Sequence, residues 1–486
     1  MHLSDLHRSP SDPVDNDTLL SSLLQDRDRY TRSFDGVGAP DAIMVSGDVI
    51  QGAYLNAKEW QRDVEEQYHA ASEFLSSLCD LFLDGDRSKL ILVPGNHDVC
   101  WNSAIAAMER IDDPELCNKI PPNEFFNPSG DYRWSWKERA VYKIVDRQKY
   151  DDRLRAYRKF EREFYGPTNL KIPLNPDPDF NLFELDEGRI LVAGFNSTYG
   201  NDCFAFHGAV SPGAVGRCNL AIRKLDRVPD LKIAVWHHGM YAPPSSSDYI
   251  DQSFVHELIG CEFQLGLHGH QHIAALNAHY IHLPEQVSIP VISAGSLCAG
   301  RRELPVGHNR QYNLIKLDET RCEGQVYIRE RGTGEQFQAC SKPEFGTNGA
   351  LDIKCPTASN RIGGSQGVHA KATLKVVERA EAHIDAQNFD AAISLLKGLN
   401  VFEQSYERQL FLRALEGAEK HDLIVETFTE FLSERELFAL IEAQRARRAF
   451  GEALSLIESG KSVYPHLEDQ FEELISKIKL HQSLKK

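Results

Sequence analysis

Five short clusters of the chain hold side chains that bind cations: Asp5-Leu6-His7, Gly47-Asp48, Gly95-Asn96-His97-Asp98, His237-His238 and Gly269-His270-Gln271-His272. Their donors are imidazole nitrogens, carboxylates and an amide oxygen, with no thiolate among them. Such a mixed set suits borderline cations, Mn²⁺, Fe or Zn²⁺, better than thiolate-seeking metals. Singly, an Asp-x-His or a Gly-Asp is turn or surface chemistry in most proteins. The whole set points to metal chemistry if the fold gathers it.

Each cluster is delivered by an apolar run. His2-Leu3-Ser4 leads into Asp5, Met44-Val45-Ser46 into Gly47-Asp48, and Leu92-Val93-Pro94 into Gly95-Asn96. Ala234-Val235-Trp236 leads into His237, and Gly266-Leu267-His268 into Gly269-His270. The runs Ala42 to Val45, Leu90 to Val93, Ile190 to Gly194, Leu231 to Trp236 and Phe263 to Leu267 are short, rich in β-branched residues and stop abruptly, which predicts buried strands. Asn56 to Phe82 places apolar residues three and four apart and predicts a helix between the first two. Alternating strands and helices predict an α/β layered core, and active sites gather at the carboxyl ends of strands in open α/β sheets. Further strands are expected at Pro290 to Ser293, Tyr312 to Leu317 and Gln325 to Arg329.

The ordered set Asp-x-His, Gly-Asp, Gly-Asn-His-Asp, His, Gly-His-x-His resembles the calcineurin-like metallophosphoesterase superfamily over roughly residues 1–335. The resemblance implies a four-layer α/β/β/α sandwich with two metal ions, Mn²⁺ or Fe first and Zn²⁺ after them, that hydrolyses a phosphoester. Carried over residue by residue, Asp5, His7 and His272 would hold one ion and Asn96, His237 and His270 the other, with Asp48 bridging both. A hydroxide between the ions would be the nucleophile. His97 would stabilise or protonate the leaving oxygen, with Asp98 orienting it. Gly47, Gly95 and Gly269 would let the backbone approach the ions closely. His238 reads as a supporting or substrate contact and His268 as a core histidine, while nothing in the spacing of His207 or Arg310 requires either at the site. Only Met1 to Ser4 precede Asp5, where the family normally has several apolar residues, so either the true start lies upstream or the strand leading to Asp5 is short.

At 486 residues and 42% hydrophobic, the chain is long enough for about two to three domains. Its net charge of -17 excludes coating a nucleic acid by bulk electrostatics. Ten cysteines lie singly between Cys79 and Cys355, without a Cys-x-x-Cys pair, which fits reduced thiols in a cytoplasmic protein; no apolar stretch suggests a membrane span. An insertion at about residues 100–178 holds a basic stretch, Arg133 to Arg162, that reads either as a local basic patch for a polyanion or, with more weight, as a solvated amphipathic helix. Its aromatics Tyr132, Trp134, Trp136, Tyr142, Tyr150, Tyr157 and Tyr165 would either stack on a nucleic acid or nucleotide diester or form the insertion's own core. Residues 336–367 read as a linker, and 368–486 as an all-helical domain. There Phe389-Asp-Ala-Ala-Ile-Ser-Leu-Leu396 echoes Phe450-Gly-Glu-Ala-Leu-Ser-Leu-Ile457, a pattern like that of tetratricopeptide hairpins or of a plain bundle, suited to a protein partner or self-association. Two other readings stand beside a phosphodiesterase: a phosphomonoesterase or protein phosphatase, and an interaction scaffold with a regulatory metal site.

Overall fold

The computed structural model describes the chain outside residues 12–13, 33–36, 118, 122–123, 126, 167, 178, 241–247, 283–285, 301–303, 306–307, 319, 322, 333–335, 343–344, 347–348, 357–375, 377–378, 382, 385, 398–405, 430, 432–433, 465–467 and 484–486. The chain divides into two compact units, Met1–Tyr280 with Ser288–Asn360, and Arg361–Lys486 with Ile281–Val287.

In the first unit, strands β1 (His2–Leu3), β2 (Ile43–Ser46) and β3 (Leu90–Val93) run parallel, as the apolar runs predict. After the insertion strands β4 (Met108–Ile111), β5 (Tyr132–Ser135) and β6 (Ala140–Ile144) come β7 (Phe180–Leu185), β8 (Ile190–Phe195), β9 (Leu231–Val235) and β10 (Leu265–His268). The remaining strands are β11 (Ala275–His282), β12 (Gln286–Ser293), β13 (Gln311–Leu317), β14 (Glu323–Arg331), β15 (Phe337–Ala339) and β16 (Ala350–Lys354). One mixed sheet has the order β15-β14-β13-β1-β2-β3 with β16 also on β14, and a second has the order β11-β12-β10-β9-β8-β7.

Alternation along β8 shows how the layers form. Val192 joins the core shared with β1, β2 and β3, and a Cβ on Gly194 would come 2.8 Å from Val93 of β3, so the two sheets face each other there. Phe195 turns the other way and packs edge-on against Phe254 of the helix Gln252–Gly260. On the outer face of the first sheet, helices α1 (Asn16–Tyr30) and α2 (Trp60–Phe82) bury Leu19, Leu23, Phe74 and Leu78 in that same core. The unit is therefore the expected α/β sandwich, two facing sheets with helices outside them. Its β1 is two residues long yet pairs on both sides, with β2 and β13.

Two expectations are corrected. Arg133 to Arg162 is not one solvated helix: it begins with β5 and β6, which form a three-stranded antiparallel sheet with β4, and only then turns helical. Arg133 is buried, its Nε 2.7 Å from Asp202 and a guanidinium nitrogen 3.1 Å from the Tyr150 hydroxyl. Tyr150, Tyr157 and Tyr165 are buried too, with Tyr165 donating to the Leu90 carbonyl at 2.6 Å, so these rings are core and not a stacking platform. The span expected as a linker from residue 336 starts with β15 and β16, both paired antiparallel to β14, because Phe337, Ile353 and Cys355 are buried there. Residues 357–367 of that span lie outside the described residues.

Breaking a buried ion pair by removing one partner strands the other charge. Arg133→Met should therefore lower the unfolding free energy, measured by urea titration, by about 3–5 kcal/mol. A loss below about 1 kcal/mol, the range of an exposed pair, would mean that Tyr150 and the backbone N–H groups of Phe204 and Ala205 satisfy Asp202 without it.

Past residue 375 the second unit is helical in its described part. Phe389–Leu396, Tyr406–Gly417, His421–Thr427, Glu434–Ala446, Phe450–Val463 and Glu468–Ser483 each pack on the next. The two echoing segments both open helices, at Phe389 and Phe450. Arg408 and Glu436, both buried, pair bidentately at 2.8 and 3.1 Å.

Candidate metal centre

Because β1, β2 and β3 are parallel in one sheet and β9 and β10 in the other, all five carboxyl ends deliver their clusters to one edge of the sandwich. Backbone bonds lock the turns together: Asp5 N–H donates to Gly47 O at 3.2 Å, His7 N–H to Asp48 O at 3.0 Å, and Gly269 N–H to His237 O at 3.0 Å. Bonds between the sheets close the site. His270 N–H donates to Asp5 Oδ2 at 3.1 Å, and His237 Nδ1 lies 2.8 Å from the Ser46 carbonyl.

All seven predicted ligands come together, in two overlapping groups. In one, His272 Nε2 is 3.2 Å from Asp5 Oδ1 and 3.5 Å from His7 Nε2, and His7 Nε2 is 3.9 Å from Asp48 Oδ2. In the other, His237 Nε2 is 3.2 Å from Asp48 Oδ2 and 2.9 Å from Asn96 Oδ1, while His270 Nδ1 is 3.0 Å from Asn96 Oδ1. Asp48 belongs to both. Five of the seven, Asp5, His7, Asp48, His270 and His272, have positive φ between 42° and 73°. Each such non-glycine conformation costs on the order of 1 kcal/mol and persists only where the surroundings impose it.

The expected glycines are sterically required. A Cβ on Gly95 would lie 2.2 Å from Asp48 Oδ1, one on Gly47 2.4 Å from His237 Nδ1, and one on Gly269 1.6 Å from Ser4 Oγ. Only Gly47 among them also has a positive φ, +94°.

The electrostatics suit cations. Burial opposes ionisation of Asp5 and Asp48, yet the imidazoles of His272 and His237 hold both carboxyls below the usual range. Burial likewise opposes the charged form of His237, but Asp48 and Asp5 hold it up at about 9. His7 is pushed down to about 4 by burial and by His97. Two buried carboxylates thus draw a proton onto an imidazole whose Nε2 faces them, the place a cation would take. Asp5 Oδ1 is buried, and the polar atom that faces it is His272 Nε2 at 3.2 Å. Since the Ser46 carbonyl only accepts, Nδ1 of His237 keeps its proton, and it is the Nε2 proton facing the carboxylates that an arriving cation would replace, freeing that lone pair. The donor set therefore fits a pair of ions.

His97 borders this cluster. Its Nδ1 is 2.7 Å from the Gln51 carbonyl, its backbone N–H donates to Asp48 Oδ1 at 2.8 Å, and a ring nitrogen lies within 4.8 Å of donor atoms of His7 and Asp48. The role expected for Asp98 is corrected. Its carboxylate accepts from Gly95 N at 2.9 Å, Val49 N at 3.1 Å and the Tyr68 hydroxyl at 3.1 Å, and its hydrogen bonds do not include the His97 ring. Residues 96–98 form a 3₁₀ turn, in which successive side chains diverge by about 120°. Burial, and then Asp48, push Asp98 up to about 7. It braces the turns holding Asp48 and Asn96, and the Gln51 carbonyl orients His97.

His238 is buried behind the cluster, its Nδ1 2.9 Å from Ser197 Oγ, and His268 stacks on Trp236 in the core. Arg310 donates to the Ala299 carbonyl at 3.2 Å. One neighbour was not legible beforehand: Asp248, whose Oδ2 is 3.1 Å from His270 Nε2. It lies outside every motif.

Residues 1–274 match the profile of the calcineurin-like phosphoesterase family. Among solved structures, the chain is similar to a dimetal phosphatase from Danio rerio, with 10% identity over 73% of this chain and 98% of that one, at a TM-score of 0.37. It is also similar to TT1561 of Thermus thermophilus, with 15% identity, 68% and 96% coverage and a TM-score of 0.30. A third is the calcineurin-like phosphoesterase YfkN from Bacillus subtilis, with 13% identity, 73% and 89% coverage and a TM-score of 0.28. No curated protein sequence matches the chain. No helix among the described residues is long and apolar enough to cross a membrane. With more than half of its length matched by the family profile, the chain belongs to the calcineurin-like phosphoesterases, metal-dependent hydrolases of phosphoesters.

Proposed function

We propose that the chain is a phosphodiesterase acting on a nucleotide or nucleic acid, with Asp5, His7 and His272 holding one ion, Asn96, His237 and His270 the other, and Asp48 shared. The observation that supports this most is the convergence of these donors around Asp48 with His97 at the border. Imidazole, carboxylate and amide oxygen favour Mn²⁺ and Fe, with Zn²⁺ next. When bound, such ions supply Lewis acidity toward the phosphoryl group and a nucleophile from water. The chain's own residues orient and protonate: His97, fixed through Nδ1, presents Nε2 to a leaving oxygen.

A diester is favoured by two features. Asp248 sets a further carboxylate beside His270, and a monoester dianion is repelled by it more than a diester monoanion. The segment whose Gln51 carbonyl holds His97 also carries Tyr54, 87% exposed. Just beyond the His97 turn, Trp101 packs against the exposed Phe206 at 5.7 Å. Aromatic faces of this kind stack on bases whatever their sequence. The helical unit contributes no His, Cys, Asp or Glu group of metal-binding geometry among its described residues, and its role in this reading is assembly with a partner or a second copy.

The test is turnover of the full chain with Mn²⁺ on bis(p-nitrophenyl) phosphate, p-nitrophenyl phosphate, cyclic nucleotides, single- and double-stranded DNA and RNA, and phosphopeptides. EDTA should abolish activity and added Mn²⁺ restore it, with diesters cleaved faster than monoesters. Faster monoester cleavage would make the protein a phosphatase. Bound metal with no turnover of any substrate would make it a scaffold.

A further inference from the structure

We infer that Asp248 is a positioning residue that sets the donor nitrogen of His270 and so governs one of the two ions; this rests on the dinuclear reading above. His270 is held from three directions. Its backbone N–H donates to Asp5 Oδ2 at 3.1 Å, its Nδ1 sits 3.0 Å from Asn96 Oδ1 and 3.2 Å from His237 Nε2, and its Nε2 sits 3.1 Å from Asp248 Oδ2. A neutral imidazole carries one proton, and an ionised carboxylate can only accept. Facing Asp248, the proton resides on Nε2, and Nδ1 is left with its lone pair among the donors of the second group. His237 is set by the same logic through the Ser46 carbonyl, but that acceptor is neutral. The Asp248 carboxylate is a charged acceptor, and it holds the Nε2–H more firmly than a neutral carbonyl does.

Asp248 is itself held in place. The two residues after it are clamped by backbone bonds, Gly208 N–H to Tyr249 O at 3.0 Å and Ile250 N–H to Gly239 O at 2.9 Å. Asp251 then caps the helix Gln252–Gly260, accepting from Ser253 N–H at 2.7 Å. Residue 248 thus hangs from a fixed backbone against a ligand whose own φ of +73° needs outside support.

The experiment titrates the metal-free full-length chain with Mn²⁺ by calorimetry, with electron paramagnetic resonance to count bound ions, for the parent, Asp248→Asn and Asp248→Ala. The parent should bind two ions. Asp248→Ala should weaken one binding step by about 10–100-fold and leave the other unchanged, the usual effect of losing such an outer carboxylate. Asp248→Asn should lose less, because its amide oxygen still accepts from Nε2. Melting of the metal-free protein should be the same in all three. Two steps of parental affinity in Asp248→Ala would overturn the inference. So would equal weakening of both steps with a lowered melting temperature, which would mean that Asp248 supports its own segment and not His270. A parent that binds fewer than two ions would sink the dinuclear reading and this inference with it.

Discussion

Asp48→Asn should lose both ions and nearly all turnover, a larger deficit than removal of any ligand that serves a single ion, such as Asn96→Ala or His272→Ala. The reason lies in where the carboxylate sits. Its Oδ2 is 3.2 Å from His237 Nε2 and 3.9 Å from His7 Nε2, one imidazole from each donor group. Two cations held close together repel each other, and a shared anion is what offsets that repulsion. The amide keeps the shape and the acceptor that the His97 backbone N–H uses at 2.8 Å, but it removes the charge. The expected results are metal content below one ion per chain and turnover down by more than about 10⁴-fold, beyond the loss for a missing general acid. Elemental analysis and diester turnover measure both, and circular dichroism checks the fold. Full occupancy with near-normal rate would show that Asp48 is not the shared ligand.

The gathering of these donors was legible because parallel strands buried on both faces write themselves as short apolar runs, and each run ends at one of the clustered side chains. Val45-Ser46 or Val93-Pro94 followed by a glycine and then a side chain able to bind a cation is a local signal. What was missed depends on distant contacts. Nothing near Arg133 announces that Asp202 will bury it, and so basic composition read as a solvated helix where β5 and β6 form. β15 and β16 have three and five residues within a polar, glycine-containing stretch, and they are strands only because β14 offers them an edge. Adjacency misled for Asp98, which neighbours His97 in sequence yet turns toward Tyr68. The aromatic residues of the insertion resolved by burial: Tyr150 and Tyr165 each found a buried hydrogen-bond partner, whereas Trp136 remains 73% exposed. Asp248 had no local signature at all, since its partner His270 lies on another strand end.

His97→Ala should keep its metals but turn over about 10² to 10⁴ times more slowly on diesters with alkoxide leaving groups, the loss expected for a general acid. Activated aryl esters, whose leaving oxygen needs little protonation, should suffer much less. Geometry separates the side chain from the support around it. The backbone N–H that donates to Asp48 Oδ1 survives the substitution, whereas the imidazole, with Nδ1 tied to the Gln51 carbonyl at 2.7 Å, is lost. Protonated, that ring has one further donor, Nε2–H, for a leaving oxygen. The comparison variant is Asp98→Asn, because Asp98 touches the turns and not the ring. It should lower stability and change both substrate classes alike, leaving the dependence on the leaving group as in the parent. Two outcomes would displace the assignment. Equal losses on alkyl and aryl esters in His97→Ala would make His97 a group that positions phosphate. Loss of an ion would make it a ligand, since its ring nitrogen already lies within 4.8 Å of donor atoms of His7 and Asp48.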